Sequence, residues 1–175
     1  MKEKLKQIKL ILFDVDGVFC SGDISYLGSG GEIKSFDSQD GMGIYLSRMA
    51  GLKTGIITGR SSSPVEQRAK ELKIDIVYQG NLNKIKSYNE IKKKYNLQDS
   101  EICFIGDDLP DLPVLDAVGF SVAVANAREE VKAISDYITV SRGGRGAVRE
   151  VIELILKRQN KFDVLINQLL NPGEK

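Results

Sequence analysis

Short apolar runs alternate with amphipathic segments along most of the chain. The apolar runs predict five buried β-strands, at residues 10–13, 56–57, 74–78, 102–105 and 120–124. The segments between and after them predict helices, because their apolar residues recur every three or four positions. Strand, helix and strand at this spacing predict parallel strands joined by right-handed crossovers. We therefore expect an α/β, Rossmann-like fold built on a doubly wound parallel sheet.

Four helices have a recognisable start or apolar face. Residues 63–66, Ser-Pro-Val-Glu, match a capping box with proline at the first helical position, which predicts a helix beginning there. Apolar stripes at helical spacing run through residues 85–95, 148–155 and 162–169. The stripes indicate helices that each bury one face against the sheet.

One segment interrupts the alternation. Residues 23–36 place two short apolar arms around a glycine-rich turn at 28–31, which predicts a β-hairpin protruding near the end of the first strand. Only 44 residues separate Asp14 from Thr58, and 26 separate Thr58 from Lys84. The hairpin, two helices and a strand fill these intervals, so we expect no cap domain.

The length of 175 residues suits one α/β domain and is short for two. The chain contains no linker, internal repeat or low-complexity tract that would divide it. We therefore predict a single domain over residues 1–175, with a C-terminal tail from about 159 to 175.

Composition narrows the possible chemistry. The 25 Lys and Arg residues nearly balance the 24 Asp and Glu residues, which argues against binding nucleic acid through bulk charge. The absence of histidine excludes Ser-His-Asp and Cys-His catalysis and His-ligated zinc. Two cysteines, Cys20 and Cys103, cannot build a disulfide scaffold, and no apolar run approaches the roughly 20 residues of a membrane span. We expect a cytoplasmic protein that acts through carboxylates, lysines, hydroxyls or a hard metal ion.

Reactive side chains follow four successive predicted strands. In an open parallel sheet, ligands bind beyond the carboxyl ends of the strands. The side chains found there are Asp14 and Asp16 after the first strand, Thr58 and Arg60 after the second, Lys84 after the third, and Asp107, Asp108 and Asp111 after the fourth. A single Asp-x-Asp is more often a turn than a site. The joint placement of the whole set favours a site.

Carboxylates gathered this closely repel each other unless a cation neutralises them. Because the donors are all oxygens, the fitting ion is Mg²⁺. Lys84 and the Thr58 hydroxyl would donate to phosphate oxygens, as phosphoryl transfer requires. Of Asp14 and Asp16, one could attack phosphorus while the other exchanges a proton with the leaving oxygen.

These motifs resemble those of the haloacid dehalogenase-like phosphatases. The resemblance rests on Asp14-Val15-Asp16-Gly17, Thr58-Gly59-Arg60, Lys84, Gly106-Asp107-Asp108 with Asp111, and Gly143-Gly144-Arg145-Gly146. It implies that Asp14 is the nucleophile and a Mg²⁺ ligand, and that Asp16 is the general acid/base and gives its backbone carbonyl to the metal. It also implies that Thr58 and Lys84 orient the phosphoryl group and that Asp107 is a metal ligand. Asp108 and Asp111 would support these ligands without touching the metal.

The closer similarity is to family members that hydrolyse 3-deoxy-D-manno-octulosonate 8-phosphate, a precursor of lipopolysaccharide sugar. By that similarity the sugar acid would contact Asp16, Lys84, Arg60 and Arg68, and the stretch Asp37, Ser38, Gln39, Asp40 and Gly41, with Arg142 or Arg145 as possible helpers. This chain has Gln39 and Tyr45 where such enzymes tend to carry arginine, the side chain suited to binding a carboxylate bidentately. A phosphatase for a sialic-type nonulosonate 9-phosphate therefore stays open, and Arg60 favours the octulosonate.

Two non-enzymatic functions are alternatives to a phosphatase. A receiver domain would carry its phosphorylated Asp after the third strand, where this chain has Gln79-Gly80. A non-catalytic assembly module would be expected to lack Asp14, Asp16 or Asp107.

The resemblance implies a homotetramer assembled by the hairpins, in which a neighbour's tail closes each site.

Overall fold

Six parallel strands form the central sheet of the computed structural model, which describes residues 2–28 and 30–171. In chain order the strands of the protein are β1 (Leu10–Phe13), β2 (Ser25–Tyr26), β3 (Glu32–Ile33), β4 (Lys53–Ile57), β5 (Ile76–Tyr78), β6 (Ile102–Gly106), β7 (Phe120–Ala123) and β8 (Tyr137–Ile138). The sheet order is β5-β4-β1-β6-β7-β8, and β2 and β3 form a separate antiparallel pair. All four residues of β1 are buried, since it lies at the centre of the sheet.

Eight α-helices cover the sheet in the described part of the chain. They are α1 (Lys2–Gln7), α2 (Ser38–Met49), α3 (Ser63–Leu72), α4 (Lys84–Tyr95), α5 (Leu112–Ala117), α6 (Glu129–Ile134), α7 (Ala147–Arg158) and α8 (Phe162–Leu170). Contacts join α1, α2, α3, α7 and α8 into one layer and α4, α5 and α6 into another. This division follows from right-handed crossovers, because the chain moves outward from β1 in one direction and from β6 in the other.

The reversal of direction between β1 and β6 determines where a ligand can bind. These two strands are neighbours, paired in parallel from Leu10 opposite Ile102 to Phe13 opposite Ile105. The helices that follow them belong to different layers, so a crevice opens beyond their carboxyl ends.

The predicted doubly wound α/β fold is confirmed, with local corrections. β5 begins at Ile76 and not at residue 74, while α1, α5, α6 and β8 were not predicted. The capping box at residues 63–66 is wrong: Ser62 is the N-cap of α3, and its side chain makes no capping hydrogen bond. The helix starts there nonetheless, because Pro64 sits in its first turn, where a missing N–H costs nothing.

The hairpin is present, and its strands are shorter than predicted. β2 and β3 contribute two residues each, and Leu27 N–H donates to Gly31 O at 2.7 Å to close the turn. Ile24, Tyr26, Leu27 and Ile33 are exposed large apolar side chains. Ser29 of the predicted turn, and Met1 and residues 172–175 of the predicted domain and tail, lie outside the described residues. None of the described helices is both long and apolar enough to cross a lipid bilayer.

A glycine pair before α7 supports the loop that follows β1. Gly144 N–H donates to Val18 O at 2.8 Å, and Asn126 bridges Gly143 N and Gly17 O at 2.6 and 3.0 Å. A Cβ atom on Gly143 would lie 1.7 Å from Gly17 O, so the backbones can approach this closely only without a side chain. Packing therefore requires glycine at both positions of this pair.

We expect Gly143→Ala to destabilise the protein by about 1–3 kcal/mol, because a methyl group cannot enter this contact without moving the backbone. Urea denaturation measures the loss. Gly28→Ala is the matched control, since a Cβ there meets nothing within 4 Å. Equal stability of the two variants would contradict the packing argument.

Candidate active site

The predicted acidic groups meet at the carboxyl ends of β1 and β6. Asp14 follows β1 directly, and its N–H donates to Ile105 O of β6 at 3.0 Å. Asp107 follows β6, so the strand pairing itself brings the two carboxyl groups together. One carboxylate oxygen each from Asp14, Asp107 and Asp111 lies within 4.8 Å of the others.

Lys84 is buried among these acids at the start of α4. Its Nζ lies 3.0 Å from Oδ1 of Asp14 and donates to Oδ1 of Asp111 at 2.6 Å. Burial alone would lower the pKa of Lys84, but Asp14 and Asp111 outweigh it and the pKa is raised. The lysine is therefore a permanent cation beneath the acidic cluster.

Asp111 organises the backbone as well as the lysine. Its Oδ2 accepts hydrogen bonds from Asp107 N at 2.9 Å and Asp108 N at 3.3 Å, so both of its oxygens have donors. Asp108 instead caps the following turn, accepting from Leu109 N at 2.8 Å. The two residues thus hold the loop after β6 in place.

Protein groups balance the negative charges of the Asp14 and Asp107 carboxylates only in part. Burial raises the pKa of Asp14 to about 6, with Asp111 adding to the shift and Lys84 opposing it. Burial, then Asp14 and Asp111, raise the pKa of Asp107 to about 8. Oδ1 of Asp107 is buried with no hydrogen-bond partner among the described residues. A buried and a partly buried carboxyl group with an oxygen-only donor set fit a hard divalent cation.

Asp16 faces the same crevice in a different environment. Its Oδ1 accepts from Lys34 Nζ and from Cys20 Sγ, the latter at 3.3 Å, and its Oδ2 lies 3.6 Å from Arg60 Nε. Burial raises the pKa of the Cys20 thiol to about 11, so the thiol keeps its proton and donates it. Lys34 was not identified from the sequence, because a lone lysine after a hairpin strand matches no motif.

These groups line a pocket of about 250 Å³. The predicted residues in its wall are Asp14, Asp16, Thr58, Arg60, Lys84, Asp107, Asp108 and Asp111; Gly59, Leu82 and Pro110 complete it. Thr58 is buried, and its N–H donates to Tyr78 O at 2.9 Å. That bond ties the β4 tip to β5.

The other predicted substrate residues do not line this pocket in the single chain. Asp37 caps α2 by accepting from Gln39 N at 2.7 Å, and the side chains of Ser38 and Gln39 are exposed. Arg68 packs beside Gly41 and pairs with Glu71 at 3.3 Å. Arg142 and Arg145 are exposed before α7.

The predicted contact between Asp40 and substrate needs correction. Asp40 is fully buried, and its oxygens accept from Arg149 N at 2.8 Å and Gly146 N at 3.3 Å. Burial raises the pKa of Asp40 to about 6. The carboxyl group therefore joins α2 to the start of α7 and is not available to a ligand.

The chain is similar to known proteins over most of its length. Residues 73–152 match the family model of haloacid dehalogenase-like hydrolases. The 3-deoxy-D-manno-octulosonate 8-phosphate phosphatase of Escherichia coli K12 is 42% identical over 161 residues, covering 91% of this chain and 85% of that protein.

Two solved structures share the fold closely. One is the 3-deoxy-D-manno-octulosonate 8-phosphate phosphatase from Moraxella catarrhalis in complex with a magnesium ion, a phosphate ion and a KDO molecule. It has a TM-score of 0.94 and 46% identity and covers 96% of this chain and 97% of its own. The cobalt-bound deoxy-D-mannose-octulosonate 8-phosphate phosphatase from Haemophilus influenzae has a TM-score of 0.91 and 35% identity, covering 96% and 99%.

We expect Asp107→Asn to stabilise the metal-free protein at pH 8 and to abolish its stabilisation by Mg²⁺. With a pKa raised from 3.8 to about 8, Asp107 holds a proton in the folded state that the unfolded chain has lost. The free energy of unfolding of the metal-free protein therefore falls as pH rises from about 4 to 8. Asparagine does not titrate, so it removes this pH-dependent loss of stability.

Thermal melts with Mg²⁺ or EDTA at several pH values test this expectation. Asp116→Asn, on an exposed position of α5, is the charge-matched control and should melt like the wild type. A Mg²⁺-dependent rise in Tm that persists in Asp107→Asn would show that this carboxylate does not hold the ion.

Proposed function

We propose the following function for this chain, which belongs to the haloacid dehalogenase-like hydrolases. It is a phosphoric monoester hydrolase that uses Mg²⁺, and its substrate is 3-deoxy-D-manno-octulosonate 8-phosphate. The observation that carries this conclusion is the convergence of Asp14, Lys84 and Asp107 on one pocket, in a chain that matches octulosonate phosphatases nearly end to end.

Asp14 is proposed as the nucleophile. Its carboxylate oxygen attacks phosphorus, the bond between phosphorus and the sugar oxygen breaks, and an aspartyl-phosphate forms. Lys84, which touches Asp14, and the buried Thr58 hydroxyl hold the phosphoryl oxygens in line for that attack. Water then attacks the aspartyl-phosphate and releases inorganic phosphate.

Asp16 is proposed as the general acid and base. It gives a proton to the departing sugar oxygen and later takes one from the attacking water. Its position on the more open side of the pocket, two residues from the nucleophile, suits both transfers. Because 22% of its side chain is exposed, it can exchange protons with solvent between the steps.

The proposed ligands of the ion are the carboxylates of Asp14 and Asp107 and the backbone carbonyl of Asp16. Bound Mg²⁺ neutralises the carboxylates and withdraws charge from the phosphoryl oxygens. Asp111 and Asp108 keep the Asp107 loop in place, as their hydrogen bonds to this loop suggest.

Arg60 is proposed to bind the sugar carboxylate at the pocket mouth. Its guanidinium is partly exposed and is held by Glu32 at 3.2 Å. Asp37, Ser38, Gln39, Gly41 and Arg68 stay proposed for substrate only through an assembly, since in the single chain they line no part of the pocket. Arg142 and Arg145 are exposed, and we propose that they also contact the substrate only through an assembly.

The remaining assignments follow from this activity. We infer a cytoplasmic enzyme of lipopolysaccharide sugar biosynthesis, formed as a single domain over residues 1–175 with a hairpin at about 23–36 and a tail at about 159–175. The nonulosonate 9-phosphate alternative is supported by Gln39 and Tyr45, which replace arginines that would suit the octulosonate carboxylate.

We expect octulosonate 8-phosphate to give a higher kcat/KM than a nonulosonate 9-phosphate or a hexose 6-phosphate, because the chain matches octulosonate phosphatases nearly end to end and Arg60 lines the pocket. Phosphate release measures all three. EDTA should abolish turnover, and Asp14→Asn should lower it at least about a thousandfold while its melting curve still shows a cooperatively folded protein. A higher kcat/KM for the nonulosonate would transfer the assignment to the alternative.

We also expect a homotetramer built on the hairpins, because four large apolar side chains protrude there and the pocket has no lid within the described chain. Sedimentation should give a four-chain particle, and Tyr26→Asp with Ile33→Asp should dissociate it and lower activity. Ile134→Asp, an exposed apolar position on α6, is the control and should stay tetrameric. A fully active monomer at assay concentration would refute this assembly.

A further inference from the structure

A buried ammonium group contacts the carboxylate assigned to proton transfer. Lys34 follows β3, its Nζ donates to Oδ1 of Asp16, and only 1% of its side chain is exposed. An ammonium so deeply buried is not available to the substrate. Its effect on the reaction must therefore pass through Asp16.

The segment that carries Lys34 is anchored to the core. Two residues further on, the Phe36 ring packs against Phe19, with 5.1 Å between ring centroids. Phe19 packs in turn on Phe13 of β1 at 5.1 Å. This aromatic stack connects the hairpin exit to the strand that ends at the nucleophile, so the lysine keeps its position relative to Asp16.

The two oxygens of Asp16 have unequal partners. Oδ1 receives the Lys34 ammonium and the Cys20 thiol, while among residues 2–28 and 30–171 Oδ2 has only Arg60 Nε, at 3.6 Å. The Arg60 side chain is 40% exposed and also pairs with Glu32. Oδ2 is therefore the oxygen left free to exchange a proton at the pocket.

We propose that Lys34 is a positioning residue for Asp16, an inference that rests on the proposed function. Asp14 forms its bond to phosphorus as the phosphorus–sugar oxygen bond breaks, and the electron pair of the broken bond stays on the sugar oxygen. Asp16 transfers its proton to that oxygen and becomes negatively charged. Lys34 stabilises the developing carboxylate and directs Oδ2 towards the leaving group.

How the loss of kcat/KM depends on the leaving group distinguishes a positioning role of Lys34 from a purely structural one. A sugar oxygen needs a proton to depart, whereas p-nitrophenolate leaves readily without one. We expect Lys34→Met to lower kcat/KM about tenfold to a hundredfold on octulosonate 8-phosphate and on a hexose 6-phosphate, and less than about threefold on p-nitrophenyl phosphate. Lys34→Arg, which restores the cation, should recover most of the loss.

Lys86→Met is the matched control, because Lys86 is an exposed lysine on α4 and should leave all three rates unchanged. Melting curves check that each variant is folded, and Lys34→Gln replaces the methionine variant if that one unfolds. Equal losses on the three esters, no loss on any, or an arginine variant no better than methionine would overturn the role of Lys34. If wild type fails on the octulosonate but cleaves the other two esters, the proposed substrate is wrong while Lys34 is still tested.

Discussion

The buried pair between Lys84 and Asp111 is the interaction on which the site depends. Lys84 is drawn to the sheet edge at the first turn of α4, and Asp111 binds it while also holding the backbone N–H groups of Asp107 and Asp108. Removing Lys84 would leave the buried Asp111 carboxylate without its cation, at a cost of about 3–5 kcal/mol. The pair thus couples the position of Lys84, the proposed phosphate-binding cation, to that of the loop that carries Asp107, the proposed metal ligand.

Much of this site could be predicted because strand ends are visible in the sequence. Asp14 and Asp107 each follow an apolar run, and parallel pairing of the two strands brings them together without any further contact. The same logic located Thr58 and Lys84. It missed β8, whose two residues are too few to form a distinctive run, and it extended β5 into a segment where Ile74 instead packs as a loop residue.

Contacts between segments far apart in the chain could not be predicted. Asp40 bonds backbone groups more than a hundred residues away, and nothing in its own neighbourhood distinguishes a helix-joining carboxylate from a ligand-binding one. Lys34 meets Asp16 only because an aromatic stack folds the hairpin exit back onto β1. Such pairings depend on tertiary packing, which leaves no periodic pattern.

The distribution of charge in the pocket explains why a dication fits it. Asp111 is matched by Lys84, and Asp16 by Lys34, each through a direct contact. Asp14 shares Lys84 at the longer distance of 3.0 Å, and none of the described lysines or arginines forms an ion pair with Asp107. These two carboxyl groups therefore lack a full countercharge, which a bound Mg²⁺ would supply while leaving coordination positions for water and a phosphate oxygen. The lysines thus confine the uncompensated charge to the two acids that follow the central strands.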